Sequence, residues 1–186
     1  IWSGPKADVG KLHQFAGLKI KARALSDLIK GGPAKWNQPV TTRGRLGLIP
    51  GPYVVDTITV PEDNPWKSWI RCSGFDFFKD GETAAMCSVT GDVWIVSGIN
   101  EDLKELEWRR FATGLFQPLG LKIVDEKVYV LGRDQITRLH DLNADGEADF
   151  YENFNNDISI SNHYHEFCLN LSTDPEGNFY FIKGGN

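Results

Sequence analysis

The feature that most restricts what this chain can fold into is an internal repeat of short β-type segments. One copy reads Gly74-Phe75-Asp76-Phe77-Phe78, a turn at Lys79-Asp80-Gly81, Ala84-Ala85-Met86-Cys87-Ser88-Val89, a turn at Thr90-Gly91, then Asp92-Val93-Trp94-Ile95-Val96. A second reads Gly120-Leu121-Lys122-Ile123-Val124, a turn at Asp125-Glu126, Lys127-Val128-Tyr129-Val130-Leu131, a turn at Gly132-Arg133, then Gln135-Ile136-Thr137-Arg138-Leu139. A third begins at Cys168-Leu169-Asn170-Leu171-Ser172, turns at Asp174-Pro175-Glu176-Gly177 and continues as Asn178-Phe179-Tyr180-Phe181-Ile182. The copies start at residues 74, 120 and 168, a spacing of 46 and then 48 residues.

A period in the forties, with three or four short strands per unit, marks propeller blades. Each unit is a small antiparallel sheet that cannot bury both faces alone, and stacking against its neighbours does so. Residues 106–111 and 149–154 supply the fourth strands of the first two units. A β-sandwich is the structural alternative, but it predicts no repeat of this length. The expected fold is all-β: a partial β-propeller of two complete four-stranded blades and part of a third, over residues 51–186, after an irregular lead-in at 1–50. The lead-in holds one helical candidate, 22–30, stopped by Gly31-Gly32-Pro33. Residues 53–60, β-branched and partly alternating, read as a strand. Closure takes four to eight blades, so the chain is read as a segment of a longer protein.

Composition bounds the function classes. With 41% hydrophobic and 24% charged residues, the chain is an ordinary globular one rather than a disordered one. A net charge of −5 without a Lys/Arg cluster argues against nucleic acid as a partner, and no apolar run is long enough for a membrane span. Cys72, Cys87 and Cys168 show no Cys-x-x-Cys spacing, which excludes the common zinc and haem-attachment patterns. They read as small buried hydrophobes, with a Cys72–Cys87 bridge as the alternative.

Much of the acidity sits in Asp141-Leu142-Asn143-Ala144-Asp145-Gly146-Glu147-Ala148-Asp149. Side-chain oxygens fall at alternate positions, with Gly146 sixth and Glu152 twelfth, which meets the calcium-loop pattern in full. Calcium takes six to eight hard oxygens, and a tight loop points alternate side chains at one centre. The flanks look like strands rather than helices, so this is not an EF-hand. Asp149 and Glu152 then face opposite ways. The expected ligands are Asp141, Asn143, Asp145, Glu147 through its carbonyl, and Asp149, with Glu152 left out. The simpler alternative is an acidic hairpin held by Asx-turns. The expected role is structural, with affinity in the weak extracellular range of about 10⁻⁴–10⁻³ M.

In a propeller, the loops leading from one blade's outer strand to the next blade's inner strand open at the central channel. Here those loops are 113–118 and 161–166, and the analogous approach to the first blade holds Lys67, Trp69 and Arg71. Arg71 and Gln117 are the candidate substrate- or cofactor-binding residues. His163 and His165 are the candidate catalytic pair, since imidazole titrates near neutrality and suits a general base; the alternative is a loop pair held by backbone groups. The Trp residues at 66, 69, 94 and 108 suggest either a sugar platform or blade packing.

Several runs resemble a known group. They are Asp63-Asn64-Pro65-Trp66-Lys67, Gly91-Asp92-Val93-Trp94, the stretch from Arg110 to Leu121 and the stretch from Gly132 to Asp141. Over roughly residues 28–186 the chain resembles large secreted bacterial proteins that join a sugar-dehydrogenase-like propeller to a C-terminal c-type haem domain. The wider superfamily is that of soluble quinoprotein glucose and sorbosone dehydrogenases. The resemblance implies a periplasmic or secreted location, with a signal expected upstream, and a carbohydrate or polyol substrate. It implies pyrroloquinoline quinone as hydride acceptor, and a haem domain downstream as partner. It also places a channel-facing His just before an inner strand, where it takes the substrate's hydroxyl proton; His163 or His165, ahead of Phe167-Cys168-Leu169, stands in that place. The other function class that fits is a non-catalytic propeller that binds a glycan or a partner protein.

Overall fold

The computed structural model describes residues 9–18 and 25–185. The strands form three antiparallel sheets. The first contains β1 (Val40–Thr42), β2 (Cys72–Phe77), β3 (Ala84–Ser88), β4 (Val93–Ser97) and β5 (Leu106–Ala112), in the spatial order β1-β5-β4-β3-β2. The second is a meander of β6 (Gly120–Val124), β7 (Lys127–Leu131), β8 (Ile136–His140) and β9 (Phe150–Asn155). The third pairs β10 (Phe167–Thr173) with β11 (Phe179–Gly184).

Period-two alternation explains how the sheets pack. From β3, Ala85 and Cys87 meet Leu121, Val128 and Val130 of the second sheet. Ala84 and Met86 point the other way, into a cluster with Trp94, Leu106 and Trp108. From β7, Val128 and Val130 face the first sheet, while Tyr129 and Leu131 face Cys168 and Leu171 of the third. The middle sheet is therefore apolar on both sides, which is why Lys127–Leu131 reads as a nearly continuous hydrophobic run.

The first strands of successive sheets come very close. A Cβ on Gly74 would lie 2.7 Å from the Leu121 nitrogen, and one on Gly120 would lie 2.9 Å from the Leu171 nitrogen. Only glycine lets two backbones approach this far. The Ile123 N–H donates to Asp76 Oδ2 at 2.8 Å and Lys122 pairs with the same oxygen at 2.9 Å, tying β2 to β6. Register shifts recur as well. The β4–β5 ladder slips at Phe111 and the β8–β9 ladder slips at Phe154, opposite the starts of β4 and β8. Such bulges bend the outer strand and increase its twist.

The N-terminal part departs from expectation. Residues 53–60 do not form a strand: Tyr53, Val54 and Val55 are exposed, and the segment's one ladder contact is a bridge from Thr57 to Arg45. The free edge of β5 is taken instead by β1, from within the expected lead-in, with Val40 opposite Trp108. The first sheet therefore has five strands rather than four. Ile58, Val60 and Trp66 lie over Trp94 and Trp108 and close the outer face of this sheet. A β-branched run thus became a cover, because its side chains had an apolar face to bury while its backbone had no strand to pair with. Of the helix expected at 22–30, residues 22–24 lie outside the described residues, and Leu25–Asp27 form one 3-10 turn. A helix that the sequence reading did not include, α1, spans Val9–Gly17. No helix among the described residues is long and apolar enough to cross a membrane.

Candidate functional site

Arg71, immediately before β2, and Gln117, three residues before β6, line one open hollow of about 590 Å³ together with Cys72, Leu119 and Phe167. All three sheets contribute to it, since these residues stand at the starts of β2, β6 and β10. Arg71 is held by its backbone N–H, which donates to Ser88 Oγ at 3.0 Å, and its guanidinium lies 5.9 Å from the Trp69 ring centre. Gln117 has φ 45, so its loop turns sharply there. Trp69 is 68% exposed, while Trp94 and Trp108 are fully buried and Trp66 packs against them, so sheet packing uses three of the four candidate tryptophans and leaves Trp69 open to solvent.

His163 and His165 are not in the lining of this hollow. They are joined to it through Arg133, which donates to Gln117 Oε1 at 3.2 Å and to the His163 carbonyl at 2.5 Å. The same guanidinium lies over the Phe167 ring, 5.4 Å from its centre. Arg133 belongs to a tight turn, and sequence reasoning treated it as a turn residue. The available signal was the first repeat, whose matching turn, Thr90-Gly91, has no basic residue.

The two imidazoles are 5.7 Å apart and not equivalent. His163 Nδ1 accepts from the His165 N–H at 3.3 Å, which places its proton on Nε2. His165 is exposed and lies against Tyr164, with ring centres 3.8 Å apart and the rings tilted by 47°. The loop is anchored by Glu166, a buried carboxylate that accepts from Ser161 N–H at 2.7 Å and Ser161 Oγ at 2.5 Å and pairs with Lys183 at 2.5 Å. The Lys183 ammonium first, then the Ser161 donors, hold its carboxyl at about 2, below the ordinary 4.5.

A carboxylate whose folded pKa is depressed stabilises the fold fully above its unfolded pKa and loses that contribution as pH falls through the folded value. The Glu166 anchor is therefore expected to persist at pH 5 and to weaken only between about 4.5 and about 2. Carboxyl ¹³C titration should place its midpoint near the lower end; a midpoint at 4.5 would remove Lys183 and Ser161 from this role.

The acidic loop forms a second cluster. Asp141 and Asn143 both accept from the Asp145 N–H, at 3.2 and 3.1 Å, and Asp141 also accepts from Gly146 N–H at 2.8 Å. Gly146, at φ 88, supplies the turn that permits this. Asp145 accepts from Glu147 N–H at 3.0 Å. Three of the expected oxygen donors are thus turned onto the backbone N–H groups of residues 145–147. Asp149 accepts from Leu142 N–H at 2.9 Å and Gly32 N–H at 2.7 Å. The Glu147 side chain turns out of the loop to the backbone of Lys35 and Trp36. Glu152, excluded on strand geometry, pairs with His140 at 2.6 Å and with Arg138. Among the described residues, no group of three or more His, Cys, Asp or Glu side chains is arranged to hold a metal ion.

All three thiols are free, and the register sets Cys87 opposite Gly74 and Cys72 opposite Ser88, so the alternative Cys72–Cys87 bridge is not formed. Burial pushes the Cys87 thiol up to about 12. No family model, no curated protein and no solved structure matches the chain.

Proposed function

We propose that the three sheets are consecutive blades of a β-propeller, that the loops before β2, β6 and β10 form its ligand-binding end, and that the parent protein is a quinoprotein-type dehydrogenase of a sugar or polyol. The observation that carries the reading is that Arg71 and Gln117, chosen from separate repeats, line one hollow with Phe167. The recurring contact of one sheet's first strand on the next, Gly74 on Leu121 and Gly120 on Leu171, supports the propeller part.

The donors of this end suit a polyanionic quinone. Arg71 and Gln117 are the residues that would hold it, and the quinone, when bound, supplies the acceptor for the hydride leaving the substrate carbon. The chain itself supplies the base for the hydroxyl proton. His165 is the better of the pair, because the His163 lone pair at Nδ1 faces the His165 N–H and its Nε2 carries the proton. Calcium belongs to this reading as a structural ion at Asp141, Asn143, Asp145 and Asp149, with the Glu147 carbonyl. The periplasmic or secreted location and the downstream haem domain rest on the resemblance.

The test is dye-linked sugar or polyol oxidation by the full-length protein supplied with pyrroloquinoline quinone and calcium. Activity should fall by about 10²-fold or more in His165→Ala, the usual size of a general-base contribution, and should survive in His163→Ala. Activity that is indifferent to His165 would remove it as the base. A second reading, a glycan-binding propeller, is favoured by exposed Trp69 and Tyr164 at the same end, since open aromatic rings suit the apolar face of a sugar. Retention on a glycan array without oxidation of any sugar would select it.

A further inference from the structure

The acidic loop has a bound partner within the chain itself. Residues 31–36 lie against it through four hydrogen bonds that span more than 100 positions in sequence. Gly32 gives its N–H to Asp149 at 2.7 Å and takes the Asn143 side-chain N–H at its carbonyl, also at 2.7 Å. Lys35 and Trp36 both donate backbone N–H groups to one oxygen of Glu147, the latter at 3.0 Å. Glu147 is 8% exposed, and no ion pair to it occurs among the described residues. A buried carboxylate without a counter-charge needs such donors, because losing them leaves the full desolvation cost of the charge. Gly31 completes the fit. It has φ 85, and a Cβ there would stand 2.5 Å from the Asp149 carboxylate.

The segment also reaches the first sheet. The Trp36 ring lies 5.0 Å from the Arg110 guanidinium, which donates to Asp92 at 2.7 Å and to Thr113 Oγ1 at 3.0 Å. Thr113 opens the 113–118 loop that carries Gln117. The base of that loop is also bonded to the second sheet, by Thr113 N–H to Tyr151 Oη at 3.0 Å. Next to it, the Ala148 N–H donates to the Phe111 carbonyl at 2.8 Å.

We propose that residues 31–36 are a strap whose docking on Glu147 and Asp149, through Trp36 and Arg110, orders the 113–118 loop. The strap holds by hydrogen bonds between its own backbone and the side chains of Asn143, Glu147 and Asp149 and needs neither a cation nor a ligand at the hollow, so it stands or falls separately from the dehydrogenase reading.

Hydrogen exchange followed by mass spectrometry tests this on the whole chain, in EDTA and again in calcium. The Lys35 and Trp36 amides should be protected equally in both. Gly31→Val should raise exchange at these amides about tenfold or more, and at 113–118 by several-fold, while β6 to β8 stay protected, as expected for a local opening. Trp36→Ala, a change on a surface segment, should raise exchange at 113–118 with the Lys35 amide still held. Unprotected strap amides in the wild type would overturn the proposal. So would protection that disappears in EDTA, a freed strap with an unchanged 113–118 loop, or an effect of Gly31→Val that Trp36→Ala does not reproduce at 113–118.

Discussion

Replacing Asp92 with alanine should lower the unfolding free energy by about 3–5 kcal/mol, the range for removing one partner of a buried ion pair. The Asp92 side chain is 5% exposed and that of Arg110 14%, so solvent screens the pair little. Asp92 Oδ1 accepts from Arg110 at 2.7 Å and from Thr113 Oγ1 at 2.5 Å, and its other oxygen accepts from Ser68. Three donors therefore lose their acceptor at once. Among the described residues Arg110 pairs with no other carboxylate, and its Nε is buried without a hydrogen bond. Urea denaturation measures the loss. Pairing Asp92→Ala with Arg110→Met should recover much of it, because the double change removes the stranded charge as well as its partner. A single-variant cost below about 1 kcal/mol would mean that the pair behaves like an exposed one.

Gly120→Val is expected to cost about 3 kcal/mol, the upper part of the range for overpacking. Its new side chain would meet the Leu171 nitrogen at 2.9 Å and the Asn170 carbonyl carbon at 3.0 Å. Both are backbone atoms that cannot rotate away, as the tip of a side chain can. The third sheet should loosen before the other two, since Cys168 and Leu171 pack chiefly on Tyr129, Leu131 and Ile136 of the second. Tryptic cleavage at Lys183 should then accelerate relative to wild type. Gly81→Ala is the control: φ there is 73 but nothing lies within 4 Å, so the cost should stay near the roughly 1 kcal/mol of an unfavourable φ. Equal costs at the two positions would remove close sheet-to-sheet contact as the cause.

How much of the molecule could be read in advance differs between its parts. In the second sheet, residues 120–124 and 127–131 occupy the expected strands to the residue, because alternation, flanking turns and the repeat all agreed there. The run at 53–60 carried the same β-branched signal and is not a strand. Strand formation needs a partner with free N–H and C=O groups, and the edge of β5 went to Val40–Thr42. Arg71 and Gln117 could be picked because a repeat assigns equivalent positions to equivalent ends of the fold. The repeat could mark Arg133 as a basic residue out of pattern but not its partners, since Gln117 and the His163 carbonyl lie 16 and 30 residues away.

The acidic loop shows the same division. Its Asx-type bonds among residues 141–147 are local, set by residue type and spacing, and so were legible from the order of the side chains. The partners of Glu147 and Asp149 are not. A carboxylate accepts from whichever N–H the fold delivers, and here that is Gly32, Lys35 and Trp36. The order of side chains was enough to specify the strands of the second sheet and the turn at Gly146, which depend on neighbours a few positions away. Which sheet edge β1 takes, and which carboxylates hold the strap, follows from the assembled fold. Those choices depend on the hydrogen-bonding groups left unpaired once the sheets have stacked.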